Sequence, residues 1–307
     1  MQKAGITPAL VAELLAVQFP RWARRSIEPV ELDGWDNTTF RLGDDLLVRL
    51  PSADAYVPQV EKEHAWLPLL APVLPVPIPE PVAKGAASTL FPRPWSVYRW
   101  LDGEPATSAR VDDPQRLARD LGRFLDALQR ADASHAPAAG EHNFFRGGPL
   151  TTYDAETRST IDRLSEEIDV DAATSVWDAA LEQRWEEEPV WLHGDVTPSN
   201  LLVADGRLVA VIDFGCSAVG DPACDLAIAW TFFDEPSRSA FQSVLHADAG
   251  TWARGRGWAL WKALITRAQE LQTGSDAAQR FGWRDGSAQI LRDILTHDPP
   301  TGIDGHG

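Results

Sequence analysis

The sequence predicts an α+β chain in two lobes. Residues 1–101 form a small N-terminal lobe of antiparallel strands, and residues 102–307 form a larger, mainly helical C-terminal lobe. Three observations predict it. Between Ile27 and Leu50, runs of strand character are separated by turn signals. After Gly103 the apolar residues recur at helical spacing. Within that helical half, the stretch from Trp191 to Phe214 reverts to a loop and two short strands, and it gathers His, Asp and Asn side chains.

The elements follow in order. Thr7-Pro8 starts a helix, with Thr as N-cap and Pro in the first turn, and Leu10, Val11, Leu14, Leu15 and Phe19 continue it. Ile27–Leu32, Trp35–Leu42 and Leu46–Leu50 read as strands, turned at Asp33-Gly34 and Gly43-Asp44. Val57–Leu70 returns to helix. Leu74–Pro81 is too proline-rich to be helical and reads as extended. Trp95–Leu101 is a strand ending at Asp102-Gly103. Asp113-Pro114 opens a helix carrying Leu117, Leu121, Phe124, Leu125 and Leu128 on one face. Further helices are expected at Ala155–Ile168 and Ala173–Trp185. A hairpin of Asn200–Val203 and Leu208–Asp213 turns at Asp205-Gly206. Asp221-Pro222 opens another helix, and helices run on to about Leu295. The tail, Asp298–Gly307, is rich in Pro and Gly and is expected to fray.

Composition narrows the function classes. Of the 307 residues, 44% are hydrophobic and 24% charged, a globular balance. No apolar run is long enough to span a bilayer, and Met1–Phe19 has Glu13 and no small-residue cleavage site, so a cytoplasmic protein is expected. Cys216 and Cys224 make neither a disulfide framework nor a metal-ligand cluster. A formal charge of −17 repels nucleic acid and anionic membranes and favours cationic partners. The 13 Trp are scattered and read mostly as core.

The chemistry lies in His193-Gly194-Asp195-Val196-Thr197-Pro198-Ser199-Asn200, followed after the hairpin by Asp213-Phe214-Gly215. Protein kinases place His-x-Asp-x-x-x-x-Asn before a hairpin and Asp-Phe-Gly after it, and the spacing matches. Transfer of a phosphoryl group to a hydroxyl needs an oriented acceptor, neutralised phosphate charge and a destination for the proton. Asp195 suits orientation and the late proton transfer. Asn200 and Asp213 offer hard oxygens suited to Mg²⁺. His193 reads as a structural residue. Each string alone is weak, and it is their joint spacing that argues against chance.

These residues resemble the aminoglycoside phosphotransferase family, small-molecule kinases of the protein-kinase-like fold whose catalytic loop reads His-Gly-Asp. Gly220-Asp221-Pro222-Ala223-Cys224-Asp225-Leu226 resembles the family's Gly-Asp-Pro-x-x-Asp-Leu segment. The resemblance covers about Val30 to Phe233, and it implies several roles. Asp225 would brace the catalytic loop. The hairpin with Asn37 and Thr38 would cover the nucleotide, ATP or GTP. Arg49 would stand where the family has a strand Lys for the α- and β-phosphates, held by Glu63, with Glu61 as the fallback. Arg can bridge phosphate oxygens bidentately, so the departure is chemically workable. The adenine edge would meet backbone at Arg99 and Leu101, with Tyr98 at the back of the pocket.

The acceptor is left open. An aminoglycoside-type antibiotic leads, with another metabolite (an amino sugar, choline or a homoserine-like compound) as the alternative. Asp221, Asp234, Glu235 and Glu270 are the acidic candidates for a cationic acceptor. Trp230, Trp258 and Trp261 are candidates for cleft walls, although core packing suits each. A nucleotide-binding pseudokinase is disfavoured because Asp195, Asn200 and Asp213 are all intact. A protein kinase is disfavoured by the short Asp213–Asp221 stretch, which leaves little room for an activation loop.

Overall fold

The computed structural model describes residues 5–30, 36–107 and 111–296. The turn at Asp33-Gly34 and the Pro/Gly-rich tail lie outside them. The chain divides into two compact units: Met1–Asp102 with Ile212–Gly215, and Gly103–Val211 with Cys216–Gly307.

The first unit is a five-stranded antiparallel sheet with two helices. Helix α1 (Pro8–Gln18) begins as its sequence dictates, with the Leu10 N–H donating to Thr7 Oγ1 and Pro8 in the first turn. Strands β1 (Ile27–Pro29), β2 (Asn37–Leu42) and β3 (Leu46–Pro51) follow, then α2 (Val57–Leu70), β4 (Pro81–Gly85) and β5 (Trp95–Arg99). Their order in the sheet is β1-β2-β3-β5-β4. Val11, Leu14 and Leu15 of α1 pack with Phe40, Leu42, Val48, Leu50, Trp95 and Val97 of the sheet, all essentially without solvent exposure. Along β3, Val48 and Leu50 face that core, and the period of two turns Arg49 to the other face. There α2 buries three polar side chains, Gln59, Lys62 and Glu63, beside the apolar Val60, Leu67 and Leu70. Buried polar side chains require partners, so these three are placed for something other than an apolar core.

In the second unit, β6 (Glu104–Pro105) precedes the helices α3 (Pro114–Gln129), α4 (Asp154–Arg163) and α5 (Val170–Glu182). Asp113 caps α3 by accepting from the Arg116 N–H at 2.9 Å. Strand β7 (Val190–Leu192) leads into the His193–Asn200 loop. Strands β8 (Leu201–Ala204) and β9 (Arg207–Val211) form the expected hairpin, with β6 added to its edge. Strand β10 (Ala218–Gly220) pairs with β7, so the two ends of the motif region are tied to each other. Asp221 does cap a turn, but Pro222–Ala227 is a 3₁₀ segment that only then enters α6 (Ile228–Thr231). Helices α7 (Glu235–Gln242), α8 (Ala249–Thr273), α9 (Ala277–Arg280) and α10 (Ser287–Thr296) complete the unit. No helix among the described residues is long and apolar enough to cross a membrane.

Candidate active site

In the first unit Glu63 of α2 meets β3. Arg49 Nη1 donates to Glu63 Oε1 at 3.0 Å, and its Nη2 donates to Asp213 Oδ1. The other Glu63 oxygen accepts from the Tyr98 hydroxyl. With its amide oxygen turned to the guanidinium, Asn37 accepts from Arg49 Nε at 3.1 Å and Nη2 at 3.0 Å. This is no surface ion pair: the Glu63 side chain is 3% exposed and that of Arg49 12%. Burial works against the Arg49 charge, but Asp213 and Glu63 outweigh it and hold the guanidinium protonated. Burial first, and then Glu63, push the Tyr98 phenol well above its usual range, so it stays a donor. Glu61 is not part of the cluster and pairs with Lys84 instead.

Asp213 takes up φ +65°, a left-handed backbone uncommon outside glycine and tolerated where the surroundings over-determine it. Those surroundings include Lys62, whose Nζ donates to the Gly215 carbonyl at 2.7 Å. At the end of β5, the Arg99 N–H donates to Glu80 O and the Trp100 N–H to Asp45 O. Leu101 follows, outside the sheet. Thr38 lies beside Asn37 on β2, buried, with its hydroxyl lacking a partner among the described residues.

In the second unit the catalytic-loop motif is braced from below. Asp225, 1% exposed, accepts from the His193 N–H and the Gly194 N–H, each at 2.7 Å. Burial pushes the Asp225 carboxyl up, partly offset by those two hydrogen bonds and by His193. His193 Nδ1 accepts from the Asp195 N–H at 3.2 Å, which makes it a loop-shaping residue. Asn200 Nδ2 donates to the Asp195 carbonyl at 2.9 Å. That bond fixes the amide so that Asn200 Oδ1 is the atom left to act as a ligand. Gly194 explains the His-Gly-Asp form of the loop. Its φ is +84°, and a Cβ there would lie 2.3 Å from the Cys216 carbonyl oxygen.

Asp195 itself is 38% exposed, and its Oδ1 accepts from Lys262 Nζ at 2.9 Å. Enclosure by protein pushes its carboxyl up. The Lys262 charge and hydrogen bond, with lesser help from Arg146 and His193, pull it below the usual carboxylate range and prevail. Sequence reasoning missed both cations. They lie 67 and 49 positions from Asp195 in the chain, and no short-range spacing marks them.

Two of the acidic acceptor candidates, Asp221 and Glu270, are occupied. Asp221 is buried against Arg254, which donates from Nε to Oδ2 at 2.7 Å and from Nη2 to Oδ1 at 3.2 Å. Glu270 accepts from the Ala278 N–H at 2.8 Å and from the Ser287 hydroxyl. Asp234 caps α7 and Glu235 follows it, both exposed. Trp230 has no solvent exposure and packs edge-on to Trp252, a core residue. Trp258 and Trp261 instead form an aromatic group with Tyr153.

In the first unit Asp213 keeps one carboxylate oxygen not engaged by Arg49, and in the second Asn200 keeps a neutral amide oxygen; each is a hard oxygen of the kind Mg²⁺ takes. Mg²⁺ takes few protein oxygens and fills its shell with phosphate and water.

Residues 26–258 match the phosphotransferase enzyme family, APH. A stretch of 76 residues is 36% identical to an aminoglycoside 3'-phosphotransferase of Escherichia coli. It covers 22% of this chain and spans about a quarter, 27%, of that relative's length. The fold is similar to that of aminoglycoside 2'-phosphotransferase-IIIa in its GDP complex, with a TM-score of 0.71 at 18% identity over 94% of this chain and 99% of the other. It is also similar to the macrolide 2'-phosphotransferase of Brachybacterium faecium, with a TM-score of 0.56 at 23% identity over 92% and 97%.

Proposed function

The chain belongs to the phosphotransferase enzyme family, and from that premise we propose that it moves the γ-phosphoryl group of a magnesium-bound ATP or GTP to a hydroxyl of a small molecule. The observation that carries the reading is Asp195. It is an anionic, partly exposed carboxylate on a loop whose backbone is pinned by Asp225, next to an Asn200 amide held with its oxygen free. In this reading Asp195 orients the acceptor hydroxyl and takes its proton late, as the bond to phosphorus forms. Asp213 and Asn200 would supply the oxygen ligands for Mg²⁺, which would neutralise phosphate charge. Arg49, held by Glu63, contacts the α- and β-phosphates. Tyr98 closes the back of the pocket, Arg99 and Leu101 offer backbone to the purine edge, and Asn37 and Thr38 lie under the covering hairpin.

The test is nucleotide-dependent transfer, followed as ADP or GDP release. Asp195→Ala should lower transfer by about two to four orders of magnitude while leaving Mg-nucleotide affinity nearly unchanged. Asp213→Ala should weaken Mg-nucleotide binding itself. Turnover that survives in Asp195→Ala sinks the mechanism. A wild-type magnesium titration in Asp213→Ala removes that residue from the metal site. An aminoglycoside acceptor is the second reading, favoured by the stretch shared with the Escherichia coli relative. It requires carboxylates for several ammonium groups, and Asp234 and Glu235 are the candidates not already tied into the unit's packing.

A further inference from the structure

We propose that the acceptor carries an oxyanion, a carboxylate or a phosphate, and that Arg146 and Lys262 form the subsite that receives it beside Asp195. The inference rests on the role assigned to Asp195 above and specifies the acceptor that would be phosphorylated there.

Arg146 sits on a fixed segment. Asn143 Nδ2 donates to the Arg146 carbonyl at 2.7 Å and to the Cys216 carbonyl at 3.1 Å, which ties the segment to the chain just beyond the motif. Its guanidinium lies over the rings of Trp261, Trp258 and Tyr153, with centroid distances of 4.4, 5.4 and 5.7 Å. Aromatic faces hold a guanidinium by its plane and leave its N–H edges for another partner. Among the described residues the Arg146 guanidinium makes no ion pair and donates no hydrogen bond, and its Nη1 is shut from solvent without an acceptor. This is anomalous in a chain with 45 acidic against 28 basic residues. The acid that shares the platform, Glu156, accepts from Trp261 Nε1 at 2.8 Å and is otherwise exposed. A half-buried cation with its donors unused is what an anionic ligand would complete.

Lys262 follows Trp261 on α8, and its ammonium is bound to Asp195 at 2.9 Å. Arg146 stacks on Trp261, the residue before Lys262, and Lys262 binds Asp195, so the two cations flank the place where an acceptor hydroxyl must come. An ammonium-rich acceptor would bring like charge to this place. A hydroxy acid or a sugar phosphate would bring the opposite charge.

The experiment is calorimetric titration of the full chain, saturated with Mg-ADP, against matched compounds. The anionic arms are glycerate and gluconate as carboxylates and glycerol 3-phosphate as phosphate. The other arms are glycerol, glucosamine and kanamycin. At least one anionic compound should bind. Its affinity should fall about tenfold or more in Arg146→Gln and less in Arg146→Lys, which keeps the charge. The arm that binds decides between carboxylate and phosphate. Binding by glucosamine or kanamycin without the anions, equal anion binding in Arg146→Gln, or no binding by any anion overturns the proposal. Mg-ADP affinity and melting temperature, read in the same samples, show whether each variant is folded. If Mg-ADP itself fails to bind wild type, the broader reading falls. If nucleotide binds and only amines are phosphorylated, this inference alone falls.

Discussion

Lys262 fixes one oxygen of Asp195 and keeps the carboxylate charged. The folded-state pKa of Asp195 is thus depressed below the unfolded value of ~3.9. A depressed acid contributes stability that is present above the unfolded pKa and is lost as pH falls through the folded one. Replacing Lys262 by Met removes the largest cause of the depression, so the acid limb of the kcat/KM profile should move to higher pH. A pH–rate series on both proteins checks this, and an unmoved limb would assign it to another group. Glu63 poses a different case. Removing its carboxylate strands the buried Arg49 and Tyr98 donors, so Glu63→Ala should cost about 3–5 kcal/mol of stability by denaturant titration, with weakened nucleotide affinity. At Gly194 any side chain meets both a left-handed backbone and the Cys216 carbonyl. Gly194→Ala should therefore lower the melting temperature and slow transfer, even though alanine is the smallest addition available.

Helix α8 illustrates how one element serves both packing and site. Arg254, Trp258 and Trp261 succeed one another at four- and three-residue spacing, so they share a face, and Lys262 adjoins it. The helix also carries glycines in its interior, which cost about 1 kcal/mol each relative to alanine. They persist because of close approach: a Cβ on Gly257 would stand 2.6 Å from the Ala180 Cβ of α5, and one on Gly255 would stand 2.8 Å from the Leu226 Cβ. Gly257→Ala should gain in propensity yet destabilise by about 1–2 kcal/mol net, measured by urea unfolding, because the overlap pushes α8 off α5. If that variant proves more stable, α8 has slack that the contact distances do not suggest. Helix α2 mixes the two roles. It buries Val60, Leu67 and Leu70 but also Gln59, Lys62 and Glu63, and Glu63 is what turns Arg49 from a surface residue into a held one.

For the molecule as a whole, a charge of −17 means self-repulsion, so raising NaCl from about 20 to about 300 mM at neutral pH should raise the melting temperature by a few degrees. A fall instead would show that the ion pairs outweigh the net field. The sequence revealed what short spacing encodes. Asp195, Asn200 and Asp213 stand in one stretch at kinase-like spacing, and the hairpin between them carries its own turn signal. Arg49 and Glu63 were legible only through the family resemblance, which sets a strand cation against a helix Glu. Strand β4 was not. It begins at Pro81 after a run of prolines and has a register irregularity between Pro81 and Ala83, so no clean alternation marks it. Strands β7 and β10 have three residues each, too few to show a period. Arg146 and Lys262 were illegible for a tertiary reason, because only the packing of α8 and the Asn143–Gly148 segment brings them to Asp195.

One feature of the first unit bears on how the chain is made. Its last four residues, Ile212–Gly215, are synthesised about 110 residues after Asp102, a delay of roughly 5–20 seconds at ordinary rates of translation. Until then neither the Asp213 carboxylate for Arg49 nor the Gly215 carbonyl for Lys62 exists. The first unit therefore leaves the ribosome with only one of the two carboxylates that hold Arg49 and without the carbonyl that Lys62 donates to, so its final closure is deferred.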